Sequence, residues 1–281
     1  MVAGLMVSGL AGFVLFEAMR TARRAAADFD PHATPFVLPS PVPRHQLVTL
    51  STSAGDRIAA SFIAPTNGVA VILGHGTPGS RADLWSDVVL LANAGFGVLA
   101  IDWPGHGEST GRLTFGEPER AAFAAAVDFL VSRDDVEVVG AYGYSNGGSL
   151  AVLHGAADNR VRAILSVNAW ADGREQVFHE HRRWGPLRQY PAWWGCLSRM
   201  AGGNIRLLDV APQLRDRRTL FVGAADDEMV PPSSAQRLAE AAGGEWRLVP
   251  GAGHGDVRDR MAEWPQVLLG FFNAQVPRRA P

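Results

Sequence analysis

Short apolar runs, separated by amphipathic stretches and glycine-bearing breaks, recur along most of this chain. His45–Ser53 and Arg57–Ala64 flank Ala54-Gly55-Asp56 and predict a hairpin. Val69–Leu73, Gly97–Ile101, Val136–Tyr142, Val161–Val167, Thr219–Val222 and Glu245–Val249 read as strands. Between them, Arg81–Ala94 predicts a helix stopped at Gly95, and Glu117–Val131 a helix with Pro118 in its first turn. A small-residue segment from Ser149 to His154, then Ser233–Ala242 and Arg258–Asn273, supply further helices. Regular alternation of helices with short strands rich in Val, Ile and Leu predicts an α/β fold. Its central sheet is mainly parallel and covered by helices on both faces.

Two regions depart from that alternation. Met1 to Phe16 is almost wholly apolar, and Glu17, Arg20, Arg23 and Arg24 follow. A run of about 16 residues falls short of the roughly 20 that span a bilayer. No basic residue precedes it, unlike a secretory signal. With the arginines on its C-terminal side, a membrane segment here would leave the main domain in the cytoplasm. The alternatives are an apolar helix packed on a cytoplasmic domain, or a misassigned start codon. Residues 28–44, with Pro35, Pro39, Pro41 and Pro43, read as an extended linker that decouples residues 1–27 from a domain over 45–275. On this reading, removal of residues 1–28 leaves the domain folded.

Composition narrows the function classes. The chain has 281 residues, a net charge of −2 and one cysteine, Cys196, which excludes an intrachain disulfide and a cysteine metal cluster. A near-neutral charge gives no basic face for nucleic acid. His179-Glu180-His181 lacks the spacing of a zinc helix, because residues two apart face away from each other. No cofactor and no metal is expected.

The most informative stretch is Gly143-Tyr144-Ser145-Asn146-Gly147-Gly148, set between the run 136–142 and the segment from Ser149. A Gly-x-Ser-x-Gly at a strand-to-helix junction places serine on a sharp turn, with Oγ clear of the sheet. A Cβ two residues before or after would collide where strand and helix cross. Gly74-His75-Gly76-Thr77-Pro78-Gly79 follows the third strand, and Asp102-Trp103-Pro104-Gly105-His106-Gly107 the fourth. Asp226-Asp227 closes the run from Leu220, and Gly253-His254-Gly255 closes the last strand.

Together these motifs resemble the α/β-hydrolase superfamily over roughly residues 45–275. The family order of serine, acid and histidine then implies Ser145, Asp226 and His254 as catalytic residues. Asp226 stands three residues after Gly223, while Asp227 stands four before Pro231, so Asp227 is the alternative acid. The resemblance implies an oxyanion hole from the backbone N–H groups of Asn146 and Thr77. The loop reads His-Gly-Thr-Pro-Gly, without the three successive glycines of many lipases. His106 and Asp102 are expected to be structural. Residues 169–213, rich in aromatics and arginines, fall where the family inserts a cap.

The chemistry this predicts is attack by a serine on a small-molecule ester or thioester, through an acyl-enzyme. Amide or peptide cleavage, or acyl transfer, is open to the same three residues. A noncatalytic binding protein on the same fold is the alternative from another class.

Overall fold

The computed structural model describes residues 2–31, 43–182, 185–201 and 203–275, the side chains of residues 2–11 and of Asp28 excepted. Eight strands form one sheet in the order β1-β2-β4-β3-β5-β6-β7-β8. They are β1 (Gln46–Ser51), β2 (Arg57–Ile63), β3 (Val69–Gly74), β4 (Gly97–Ile101), β5 (Val138–Tyr144), β6 (Val161–Val167), β7 (Arg218–Ala224) and β8 (Glu245–Val249). The predicted hairpin makes β1 antiparallel to β2, and β2 antiparallel to β4; every other pair is parallel.

Every residue of β3 and β4 is buried, as a strand covered on both faces requires. The period of two still assigns each side chain to a layer. Ala70, Ile72, Leu99 and Ile101 join the core beneath α3 (Glu117–Val131), α4 (Asn146–Ala157) and α7 (Ser233–Ala242). Val69, Val71, Leu73, Val98 and Ala100 face α2 (Trp85–Asn93) and α9 (Trp264–Asn273). Burying one such Val or Ile side chain stabilises the fold by about 2 kcal/mol, so the two layers together anchor the sheet.

The predicted elements differ from the observed ones mainly at their ends. Arg81–Leu84 is a 3₁₀ turn before α2, capped by the Ser80 hydroxyl accepting from Ala82 N–H. The predicted helix 258–273 divides into α8 (Val257–Arg260) and α9, whose first turn holds Pro265. A proline has no N–H to donate to a preceding turn, so it starts a helix more readily than it continues one. β5 runs on to Tyr144, and α4 begins at Asn146, which leaves Ser145 alone at the junction.

The region 169–213 folds as a cap between β6 and β7, with α5 (Gly173–Glu180), α6 (Pro186–Leu197) and two 3₁₀ turns. The N-terminal segment forms α1 (Val2–Ala26), and its second half packs on α6. Thr21, Ala25, Ala26 and Phe29 are buried there. A Cβ on Gly195 would overlap the Ala22 carbonyl, so glycine lets the two helix backbones touch. Glu17 pairs with Arg188 at 3.3 Å. The sequence reading separated residues 1–27 from the domain; in the structure the stretch from Glu17 to Phe29 is part of the cap's packing. Most of the proposed linker, residues 32–42, lies outside the described residues. Among the described residues no helix is long and apolar enough to cross a membrane.

Candidate active site

Ser145 occupies the turn from β5 to α4 with φ 54° and ψ −125°, a conformation costly for a residue with a Cβ. Two backbone bonds hold it: its N–H donates to the Val167 carbonyl (2.8 Å), and its carbonyl accepts from Ser149 N–H (3.0 Å). The flanking glycines have no room for a side chain. A Cβ on Gly143 would overlap the Gly147 carbonyl, and one on Gly147 would overlap the carbonyls of Gly74 and His75. The turn is therefore built where β3, β5 and α4 converge.

His254, on the loop after β8, reaches this serine. Its Nε2 lies 2.9 Å from Ser145 Oγ and its Nδ1 lies 2.7 Å from Asp227 Oδ2. The carboxylate beside the imidazole is thus that of Asp227, and the preference for Asp226 is corrected. Asp226 is exposed, and its N–H donates to the Ala252 carbonyl at 2.8 Å. Asp227 is buried, and its Oδ1 accepts from the N–H groups of Met229 and Val230, both at 2.8 Å. The turn into Val230 orients the second aspartate inward and leaves the first in solvent. An acceptor at Nδ1 fixes the proton on that nitrogen and leaves the Nε2 lone pair facing Ser145.

The histidine loop is itself clamped. The His254 carbonyl accepts from Asn168 Nδ2 (2.9 Å) and from the Tyr144 hydroxyl. Asn168 follows β6 with φ 51°, and its Oδ1 accepts from Ala224 N–H at the end of β7 (3.0 Å). Burial pushes the Tyr144 hydroxyl above its ordinary pKa, so it stays a donor at neutral pH. Sequence reasoning missed both residues. The signal for Tyr144 was its place directly before the serine; Asn168 offered only its position after a strand.

Thr77 and Asn146 meet at the same cavity as Ser145 and His254. The Trp170 indole N–H donates to Asn146 Oδ1 at 2.9 Å, and Asn146 Nδ2 donates to Thr77 Oγ1. An indole can only donate, so it fixes which end of the Asn146 amide faces Thr77. Thr77 Oγ1 is then an acceptor toward Asn146, and its own proton remains to be donated elsewhere. Trp170, three residues after β6, belongs to the aromatic-rich stretch 169–213, and the sequence offered no sign of its bond to Asn146.

His75 and Asp102 serve the scaffold. His75 is fully buried, donates from Nδ1 to the Gly76 carbonyl (2.6 Å) and accepts Trp103 N–H at Nε2 (3.1 Å). Burial lowers its pKa, which keeps it neutral. Asp102 accepts from Arg81 N–H (2.7 Å), from the Arg81 guanidinium and from Glu108 N–H (2.9 Å). His106 is buried with Nδ1 3.1 Å from the Pro104 carbonyl. His179 Nε2 donates to the Asp227 carbonyl (2.9 Å), and His181 Nδ1 to that of Val177 (2.9 Å). Among the described residues no group of three or more His, Cys, Asp or Glu side chains could hold a metal ion.

The cavity above Ser145 measures about 380 Å³. Phe115, Trp170, Met200 and Val230 give it apolar walls, while Gln176 and Glu180 are polar. Arg24 and Phe29, from α1 and the turn after it, close one side. Of the aromatics in residues 169–213, Trp170 lines the cavity, Trp194 is exposed, and Trp184 lies outside the described residues.

A sheet of this order, with a serine on a strained turn and a histidine behind the last strand, defines an α/β hydrolase. The chain has the α/β-hydrolase fold, and residues 69–195 match the family model described as alpha/beta hydrolase fold. It is 27% identical over 257 residues to "Putative carbamate hydrolase RutD" of Variovorax paradoxus (strain S110), covering 74% of this chain and 93% of that protein. Among solved structures it is similar to the esterase Pf2001 of Pyrococcus furiosus. There the TM-score is 0.72 at 18% identity, over 89% of this chain and 100% of that one. It is also similar to Est1E of Butyrivibrio proteoclasticus, solved with ferulic acid bound. There the TM-score is 0.62 at 18% identity, over 80% of this chain and 99% of that one. At such identities the structures share a fold, and the relatives as a group support a hydrolase.

Proposed function

We propose that this protein is a serine hydrolase that cleaves a small-molecule carboxylic ester or thioester through an acyl-enzyme. The observation that carries the reading is the continuous chain Ser145 Oγ to His254 Nε2 (2.9 Å) and His254 Nδ1 to Asp227 Oδ2 (2.7 Å). It opens into a cavity that Phe115 and Trp170 help to wall.

As Ser145 Oγ attacks the acyl carbonyl, its proton passes to His254 Nε2. Asp227 stabilises the resulting imidazolium and holds the ring in place. The carbonyl oxygen becomes an oxyanion against the N–H groups of Asn146 and Thr77, the first at the start of α4, where the backbone dipole favours negative charge. The Thr77 hydroxyl, whose acceptor side is taken by Asn146, can add a third donor. His254 then returns the proton to the departing alcohol or thiol, and water reverses the sequence to release the acid.

The similarity to the Variovorax protein favours a second reading, in which the carbonyl belongs to a carbamate. The same residues serve either carbonyl; a carbamate carries nitrogen on the carbonyl carbon where the ester carries carbon, so Ser145 would be carbamoylated rather than acylated before water releases the product. Turnover of p-nitrophenyl esters of graded acyl length, beside aryl carbamates, tests both. Ester turnover abolished in Ser145→Ala, in a folded protein, supports the proposal; turnover retained by that variant overturns it.

A further inference from the structure

The outer surface of α1 and α6 combines exposed apolar side chains with arginines. Five large apolar residues between positions 13 and 19 of α1, Phe13 and Phe16 among them, stand exposed beside Leu187, Tyr190 and Trp194 of α6. These are eight of the twelve exposed large hydrophobic residues among the described ones, so they form a patch rather than scatter. Leu187, Tyr190 and Trp194 fall at helical spacing on one stripe, and Leu187 and Trp194 are 77% and 68% exposed. The opposite side of α6 is spent on the cap core through Ala192 and Cys196. The Glu17–Arg188 pair brings residues 13–19 alongside Leu187.

Charge distinguishes this surface from the rest of the chain. Among the described residues, this face carries Arg20, Arg23, Arg182 and Arg188 against one carboxylate, Glu17, a net of +3 in a chain whose total is −2. Arg20, Arg23 and Arg182 are exposed, and Arg188 is 42% exposed. All 26 basic residues of the protein are arginine, whose planar fork suits phosphate oxygens.

We propose that this face docks on a bilayer that contains anionic phospholipid. The apolar side chains enter the boundary between headgroups and acyl chains, with Trp194 and Tyr190 at headgroup level, and the arginines meet lipid phosphates. A second copy of the chain fits the face less well, because a two-fold interface would set one arginine-rich surface against another. The length of the apolar part of α1, before Glu17, agrees with lying in the interface rather than crossing. Residues 2–16 rise about 22 Å along a helix, short of the roughly 30 Å of hydrocarbon.

Flotation of the full-length protein with vesicles of phosphatidylcholine, with and without phosphatidylglycerol, tests this. Binding to the anionic vesicles is expected to be at least about tenfold tighter, and to weaken with salt. The pairs Leu187→Ser/Trp194→Ser and Phe13→Ser/Phe16→Ser should each lower it at least about tenfold, while circular dichroism, melting and turnover of a water-soluble ester stay at the wild-type level. Equal binding to both vesicle types overturns the proposal, as does unchanged binding by both variants. A dimer in sedimentation velocity that Leu187→Ser/Trp194→Ser dissolves, with no vesicle binding by the wild type, would give the face to a second copy instead.

Discussion

Replacing Asp227 by asparagine should disable the enzyme while leaving it folded, and the hydrogen bonds around the carboxylate say why. Oδ1 accepts from Met229 and Val230 N–H, and Oδ2 accepts from His254 Nδ1–H. An asparagine has one acceptor oxygen. If that oxygen keeps the two backbone donors, the amide NH₂ faces the imidazole and drives the ring proton to Nε2. That nitrogen then donates toward Ser145 and can no longer take its proton. The flipped amide would aim NH₂ at two buried donors, each left unsatisfied at about 1–3 kcal/mol, so the first orientation wins. Loss of the correct tautomer in a serine triad costs ~10⁴-fold in kcat, about 5 kcal/mol of transition-state stabilisation. Asp226 is exposed with no bond to the ring, so Asp226→Asn should stay within about twofold of wild type. Initial rates on a p-nitrophenyl ester, with circular dichroism to verify folding, give the comparison. An Asp227→Asn enzyme within tenfold of wild type, or a more damaged Asp226→Asn, would refute the reasoning.

Three further outcomes follow from the packing and the buried titratable groups. Gly147→Ala sets a Cβ against the carbonyls of Gly74 and His75, both backbone, and should cost several kcal/mol or prevent folding, about 3 or more by urea denaturation. Trp170→Phe releases the Asn146 amide and with it Thr77, and should lower kcat about tenfold on soluble esters, with KM changing less. Burial raises Glu119 from 4.5 to about 7 and lowers His154 from 6.5 to about 3. The native state therefore favours the protonated carboxyl and the neutral imidazole. As pH falls from 7 to 4.5, Glu119 adds stability while His154 removes it from 6.5 downward, each by about 3 kcal/mol, so the two nearly cancel; below 4.5 only the His154 loss remains. In His154→Leu, stability by chemical denaturation should rise as pH falls through that window. A variant that tracks wild type at every pH would contradict the assignment.

The elbow was legible in the sequence because its pattern is local. Gly143 clears the Gly147 carbonyl four residues on, and although Gly147 clears the distant carbonyls of Gly74 and His75, both glycines stand within one five-residue Gly-x-Ser-x-Gly. The strands were legible for a similar reason, since burial on both faces leaves a run such as Val69–Leu73 unmistakable. Asp226 and Asp227 were not separable that way. Both are short carboxylates after β7, and the choice is made by two N–H groups, of Met229 and Val230, that bind only the second. The roles of Asn168 and Trp170 depend on contacts with residues 86 and 24 positions away, His254 and Asn146, which no local pattern encodes. The same holds for α1. Its apolar run suited a membrane segment as well as a packed helix, and only the fit of Ala22 against Gly195 shows that its second half joins the cap.

The central claim is that Ser145, activated by His254, is the nucleophile. A fluorophosphonate reacts much faster with a serine so activated than with other hydroxyls, and peptide mass spectrometry reports where it lands. Stoichiometric labelling at Ser145 is expected in the full-length protein, with labelling lost in Ser145→Ala and slowed by orders of magnitude in folded His254→Ala. Labelling at another residue, or none under conditions where the protein hydrolyses an ester, would contradict it.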